Sequence, residues 1–207
     1  MSKGEATRQR IIAQAAPLFN QRGYEGCSLQ DIMAATGLEK GGIYRHFGSK
    51  EELAAEAFDY AWNLASTKRR QNIDAIPNHV ERLKQYVANF NVRVGLPGGC
   101  PLLNTGVDSD NGNPVLRERV RIALRGWKDR LRSILEEGIT AGTIQPAINI
   151  DKVISIIIAG LEGGMLVSRI ERNEHALHAA LEHLNLYIDT QVAKPVRNQS
   201  RKPAKPA

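Results

Sequence analysis

Residues 28–52, SLQDIMAATGLEKGGIYRHFGSKEE, constrain the fold of this chain more than any other stretch. They hold two short helical patterns joined by a glycine turn, followed by the start of a third helix, which is how a helix-turn-helix reads in sequence. Ser28 and Asp31 form a capping pair: the hydroxyl accepts a free backbone N–H and the acid reaches back. Leu29, Ile32 and Met33 then fall at i, i+3 and i+4 and make one apolar face. Gly37 can take the positive φ that ends a helix in a tight turn. A second short helix begins near Glu39, with Ile43 and Phe47 pointing inward together. Lys40, Gly41, Gly42, Tyr44 and Arg45 are left near the outer surface. Each glycine inside a helix costs about 1 kcal/mol relative to alanine, so the pair makes sense where the helix backbone must lie close against another surface.

Ser49 and Glu52 form a further capping box, which starts a helix with Lys50 in its first turn. The positive end of that helix and the Lys50 ammonium can together hold a phosphate. Lys40 and Arg45 can reach guanine edges or phosphates, and Tyr44 and His46 can donate to phosphates. The candidate DNA-contact set is therefore Ser28, Glu39, Lys40, Gly41, Gly42, Tyr44, Arg45, His46 and Lys50. The alternative for the basic residues is an ordinary solvated face, but caps, glycine turn, aromatic anchors and cations converge in one short window.

The run Lys40-Gly41-Gly42-Ile43-Tyr44-Arg45-His46-Phe47-Gly48-Ser49-Lys50-Glu51-Glu52-Leu53 resembles the recognition-helix signature of TetR-family (TetR/AcrR-type) transcriptional regulators. Arg10-Ile11-Ile12, Ala15, Phe19, Gly23-Tyr24 and Ser28-Leu29-Gln30-Asp31-Ile32 are similar to the first two helices of that family. Cys27 departs from the small or threonine-like residue expected there. The likeness is strong over about the first 55 residues; the rest agrees in length and helical character. It implies a homodimeric, ligand-responsive repressor on a palindromic operator, with an activating or architectural protein as the alternative.

At 207 residues and 42% hydrophobic, the chain can bury a real core. Its net charge of +6 is unevenly placed: +3 over residues 1–50, −2 over 51–193 and +5 over 194–207. A basic small domain on a near-neutral larger one fits a duplex-binding head on a sensing body. Two cysteines make no disulfide scaffold and fit a reducing cytoplasm. The start MSKGEATRQR has no apolar signal region, and no stretch approaches about 20 consecutive apolar residues. There is no G-x-S-x-G, phosphate-binding loop or dinucleotide fingerprint, so no enzyme, cofactor or metal is expected.

The chain is expected to be all-α, with about nine helices and three parts: a head over 1–50, a body over 51–193 and a disordered basic tail over 194–207. Helices are predicted at about 7–22, 49–70, 78–94, a short one from 101, 113–141, 151–172 and 174–192, with a polar loop at 108–112. The last two are apolar beyond one face, and Gly160, Gly163 and Gly164 allow close approach. They are expected to form a two-fold four-helix dimer bundle, although a core internal to one chain is the other reading. Phe58, Trp62, Tyr86, Phe90, Cys100, Leu103, Trp127 and Met165 are the candidate lining of an effector cavity. Cys100, at a predicted helix start, is open to two readings. One is a thiol of lowered pKa that senses electrophiles or oxidants, since Gly99–Thr105 is similar to a loop in a branch of the family with such sensors. The other is an inert small residue.

Overall fold

The computed structural model describes residues 2–92 and 94–195. The basic tail falls almost wholly outside them. Among the described residues the chain has nine α-helices and no strand beyond an isolated bridge between Ile144 and Ala193.

Helix α1 (Lys3–Gly26) starts on a full capping box of Ser2 with Glu5. Its helical backbone stops at Gly23, whose φ is +74°. Helix α2 (Leu29–Thr36) starts on the predicted Ser28–Asp31 box and ends on Gly37 in the left-handed region. Helix α3 (Lys40–Tyr44) is a single turn, and α4 (Lys50–Arg69) starts where Ser49 Oγ accepts from Glu52 N at 3.0 Å. The Glu52 carboxylate accepts from Gly48 N rather than Ser49 N, which ties the α3–α4 link to α4.

Helix α5 (His79–Ala88) is shorter than its periodicity suggests. The chain tightens into a 3-10 turn over Asn89–Asn91 because Asn89 is claimed elsewhere. Its amide donates to the carbonyls of Arg69 and Gln71 at 3.0 and 2.9 Å, satisfying the C-terminal end of α4. Helix α6 (Pro101–Ser109) runs into the stretch expected to be loop. Helices α7 (Pro114–Thr140), α8 (Ile150–Glu171) and α9 (His175–Tyr187) follow, with a π-type turn over Ile188–Val192. Lys194 N donates to Thr143 O and Gln145 N to Val192 O, which stitches the end of the described chain to the α7–α8 link.

Two apolar clusters result. One joins α1, α2, α3 and the first half of α4 around Ile11, Phe19, Ile32, Ile43, Phe47 and Leu53. The larger joins α5, α7, α8 and α9 around Leu83, Trp127, Leu131, Ile157 and Leu184. Helix α4 serves both, sending Leu53, Ala57 and Ala61 to the first and Phe58 to the second. Arg8 pins the first cluster: its guanidinium lies 4.5 Å from the Phe47 ring and pairs with Glu52 and Glu56 on α4.

Helix α8 is more apolar than its longest consecutive apolar run implies. Over 18 residues its mean hydropathy reaches 1.7, long and apolar enough by composition to cross a membrane, and only a third of that window is buried within the chain. Its glycines and polar residues interrupt the apolar run without lowering the mean much. Gly164 lies where a Cβ would come within 2.9 Å of Ala180 Cβ, so α8 and α9 pack nearly backbone to backbone.

Candidate nucleic-acid interface and effector hollow

Helix α3 lies on the surface with one side down. Ile43 and Phe47 are buried, while Glu39, Lys40, Gly41, Tyr44 and Arg45 are exposed. Gly42, His46 and Lys50 are half-buried, and Ser28 is exposed at the start of α2. A Cβ at Gly41 would meet nothing within 4 Å, so internal packing does not require glycine there. The Lys40 ammonium sits 5.9 Å from the Tyr44 ring and that of Lys50 4.3 Å from the Tyr24 ring, which holds both cations near the surface. Neither they nor Arg45 has a carboxylate partner among the described residues. The hydroxyl of Ser28 holds the Asp31 carboxyl down to about 2. The carboxylate form is therefore favoured by folding: the cap is at full strength above about pH 4 and is lost as pH falls through about 2.

Beneath the head, a joint ties α1 to α6 and to the loop before it. Asn20, 5% exposed, donates its amide to Pro97 O at 2.8 Å and Gly99 O at 3.3 Å. The Asn104 amide donates to Asn20 O, Asn20 Oδ1 and Gly98 O. Asp108 accepts from Tyr24 N at 2.8 Å, just after the break in α1 at Gly23. Gly98 has φ +107°, and a Cβ there would come within 2.9 Å of Asn20 O.

On the other side of the same loop lies a hollow of about 400 Å³ that opens to solvent, walled in part by Arg69, Phe90, Leu96, Met165, Arg169 and Leu177. That volume is within the usual range for small-molecule sites.

The comparisons with known proteins match both halves. Residues 11–57 match the family model for bacterial regulatory proteins of the tetR family, and residues 78–184 match that for a tetracyclin repressor-like C-terminal domain. The chain belongs to the TetR family. This TetR-family member is a DNA-binding regulator of transcription, all helical, with an N-terminal helix-turn-helix and a larger helical body. It is similar in structure to a TetR transcriptional regulator from Chloroflexus aurantiacus J-10-FL, with a TM-score of 0.89 and 44% identity over 93% of this chain and 99% of that one. A TetR-family regulator from Cytophaga hutchinsonii gives a TM-score of 0.88 and 35% identity over 94% and 99% of the two chains. The HTH-type transcriptional repressor DhaR of Mycobacterium sp. (strain GP1) is 30% identical over 172 residues, 82% of this chain and 86% of that protein.

The regulator's hollow is not walled as its sequence suggests. Of the eight candidate lining residues, only Phe90 and Met165 border it. Tyr86 and Trp127 are packed into the body core, each 3% exposed, with Trp62 against Trp127 at 5.8 Å between ring centres. Phe58 is core as well, Leu103 borders two other surface hollows of about 410 and 290 Å³, and Cys100, at the edge of the second, is 1% exposed. Aromatic residues here bury more area as core than as cavity wall. Sequence reasoning missed Arg69, Arg169, Asn20 and Asn104. A signal existed for Arg69, which falls at i+11 from Phe58, i+7 from Trp62 and i+4 from Ala65, on the buried face of α4.

Of the two readings of Cys100, its surroundings favour the inert one. Burial pushes its thiol up to about 11, against the pull of Arg69 and of the Leu103 backbone N–H. It donates to Glu162 Oε1 at 2.9 Å and accepts from Arg69 Nη1 at 3.6 Å, an inert bridge rather than a nucleophile. Cys27 is fully buried and raised by burial too. Neither thiol is expected to react with an aromatic disulfide at pH 8 within minutes in the native protein, and both should react after denaturation. Prompt reaction of one equivalent in the native protein would contradict this.

Proposed function

We propose that this regulator is a ligand-responsive repressor that binds a palindromic operator as a homodimer and releases it when a small molecule fills the body. The observation that carries the reading is the outward face of α3, set on a head whose joint to the body is one wall of the hollow. On this reading Lys40 and Arg45 reach base edges, and Gly41 and Gly42 let the helix backbone approach the groove. Ser28, Tyr44, His46 and Lys50 fix the head on the DNA backbone, with Glu39 at the N-cap of the reading helix. Residues 1–50 then work as head and 51–193 as body, with α4 shared between them.

A single such helix reads only a few base pairs, so two heads are needed. The exposed stripe Gly163, Leu166, Val167 and Ile170 on α8, continued by Leu186 on α9, supports a second copy as its cover. Nothing within 4 Å would meet a Cβ at Gly163, which leaves room for close helix approach. Glu162 in the middle of α8 argues against lipid as the cover, since a carboxyl at mid-bilayer is costly. A cytoplasmic protein fits this reading.

The joint gives the coupling a physical form. Leu96 and Gly99 wall the hollow, and the carbonyls of residues 97–99 are held by the amides of Asn20 and Asn104. An occupant that shifts this loop must also shift α1, and its effect is bounded by its preference between the two head positions.

A salt-dependent gel shift with DNA flanking its own gene tests the reading. Lys40→Ala and Arg45→Ala should each weaken specific binding by about 1–3 kcal/mol. Lys50→Ala should weaken all sequences alike. Equal behaviour of all three variants and the unaltered protein would contradict the assignment of this face.

A further inference from the structure

The hollow in the body is unusually cationic for one with an apolar floor. Arg69, Arg169 and Arg172 all border it, and among the described residues none has a carboxylate within 4.0 Å. Arg69 is the decisive one. It is 3% exposed, and a guanidinium keeps its charge wherever it is placed. Its partners inside the protein are incomplete. The Phe90 ring lies 4.0 Å from the guanidinium, with Trp127 and Trp62 at 5.7 and 5.9 Å. Nη1 touches the sulfur of Cys100, and Nε has no acceptor at all. The buried Glu162 carboxyl reaches it only through that thiol and leaves its own Oε2 without a donor. A buried charge left this way costs several kcal/mol, which an incoming anion would offset.

The other two arginines stand ready on the open side. Arg169 has one weak contact, Asn104 Oδ1 at 3.5 Å, and Arg172 ends α8 with φ +56°. Glu174, an acid on the rim, leans toward His178 at 3.6 Å. Phe90, Leu96, Met165 and Leu177 supply the apolar floor.

We propose that the effector is an amphipathic organic anion, its carboxylate held by Arg69, Arg169 and Arg172 and its hydrocarbon body laid against Phe90, Leu96, Met165 and Leu177. The inference rests on the ligand-responsive reading above and narrows it to one chemical class. It also gives the ligand a lever, because Arg169 is the arginine that contacts Asn104, and Asn104 holds Asn20 of α1.

The test uses the full chain and three probes of matched size: octanoate, octanamide and octylamine. Binding is read by tryptophan emission, since Trp62 and Trp127 flank Arg69, and by calorimetry. Octanoate should bind at least tenfold more tightly than the amide or the amine. The exposed double variant Arg169→Gln/Arg172→Gln should lose at least tenfold of that affinity while keeping its helicity. Arg69→Gln should lose more; if it fails to fold, the exposed pair decides. Equal binding of the three probes, or no binding of octanoate, overturns the anion site, as does unchanged affinity in the double variant. The signalling role is separable. Octanoate that binds as described without weakening duplex affinity supports the anion site and removes its role in DNA release. Release of DNA by octanamide or octylamine alone keeps ligand responsiveness and overturns the anion site.

Discussion

Replacing Leu166 and Ile170 together by lysine is expected to turn the proposed dimer into monomers and to weaken operator binding by about 10²–10⁴-fold. The two side chains are 46% and 73% exposed in the single chain, so the change should leave the protomer fold intact. Lysine opposite lysine across a two-fold axis would desolvate like charges, while the apolar area normally buried there is lost. The DNA effect follows from geometry. With two linked heads, binding of the second half-site is intramolecular; with separate heads each must bind alone. Sedimentation would show the change of mass, and anisotropy of a labelled duplex the loss of affinity. A monomeric variant that still binds DNA as tightly as the original would break the link between dimer and operator. An original protein that sediments as a monomer would remove the dimer itself.

The second large effect is expected at the joint between head and body. Gly98→Ala places a methyl within 2.9 Å of the Asn20 carbonyl oxygen, at a φ of +107° that side chains rarely adopt. Asn20→Ala strands the carbonyls of Pro97 and Gly99 and leaves the Asn104 amide short of an acceptor. Each variant should cost about 2–4 kcal/mol, from backbone strain in the first and stranded buried polar groups in the second. For a chain of this size that lowers the melting temperature by roughly 5–15 °C. The more telling consequence is functional. Below the melting range both variants should bind the duplex but respond weakly to whatever fills the body, because the loop no longer grips α1. A full ligand response in a destabilised Asn20→Ala protein would show that the signal travels elsewhere.

The head was legible because its determinants are local. Ser28 with Asp31, Gly37, and Ile43 with Phe47 are all spaced within one or two helical turns, and each appears in the structure in its expected role. The body was legible only in outline. The start of α7 was signalled by Asn113 and Pro114, but the end of α5 was not, since Asn89 leaves the helix to satisfy carbonyls 20 and 18 residues upstream. For Cys100 the sequence shows the helix start but not the burial, which is the larger influence and favours the inert of its two readings. The walls of the hollow were hidden from the sequence for the same reason. Aromatic residues were expected to line it, yet Trp62 and Trp127 pack around Arg69, and it is arginines from α4 and α8 that face the open space. Such pairings join residues 58 to 100 positions apart, which periodicity does not report.

Selection of bound sequences from a pool of random duplexes, using the full chain, tests the central claim most directly. The account predicts an inverted repeat whose half-sites are centred about one helical turn or more apart, lost together in the Leu166→Lys/Ile170→Lys protein and degenerate at the contacted positions in Arg45→Ala. Enrichment of an unrepeated motif, or of nothing at all, would contradict it.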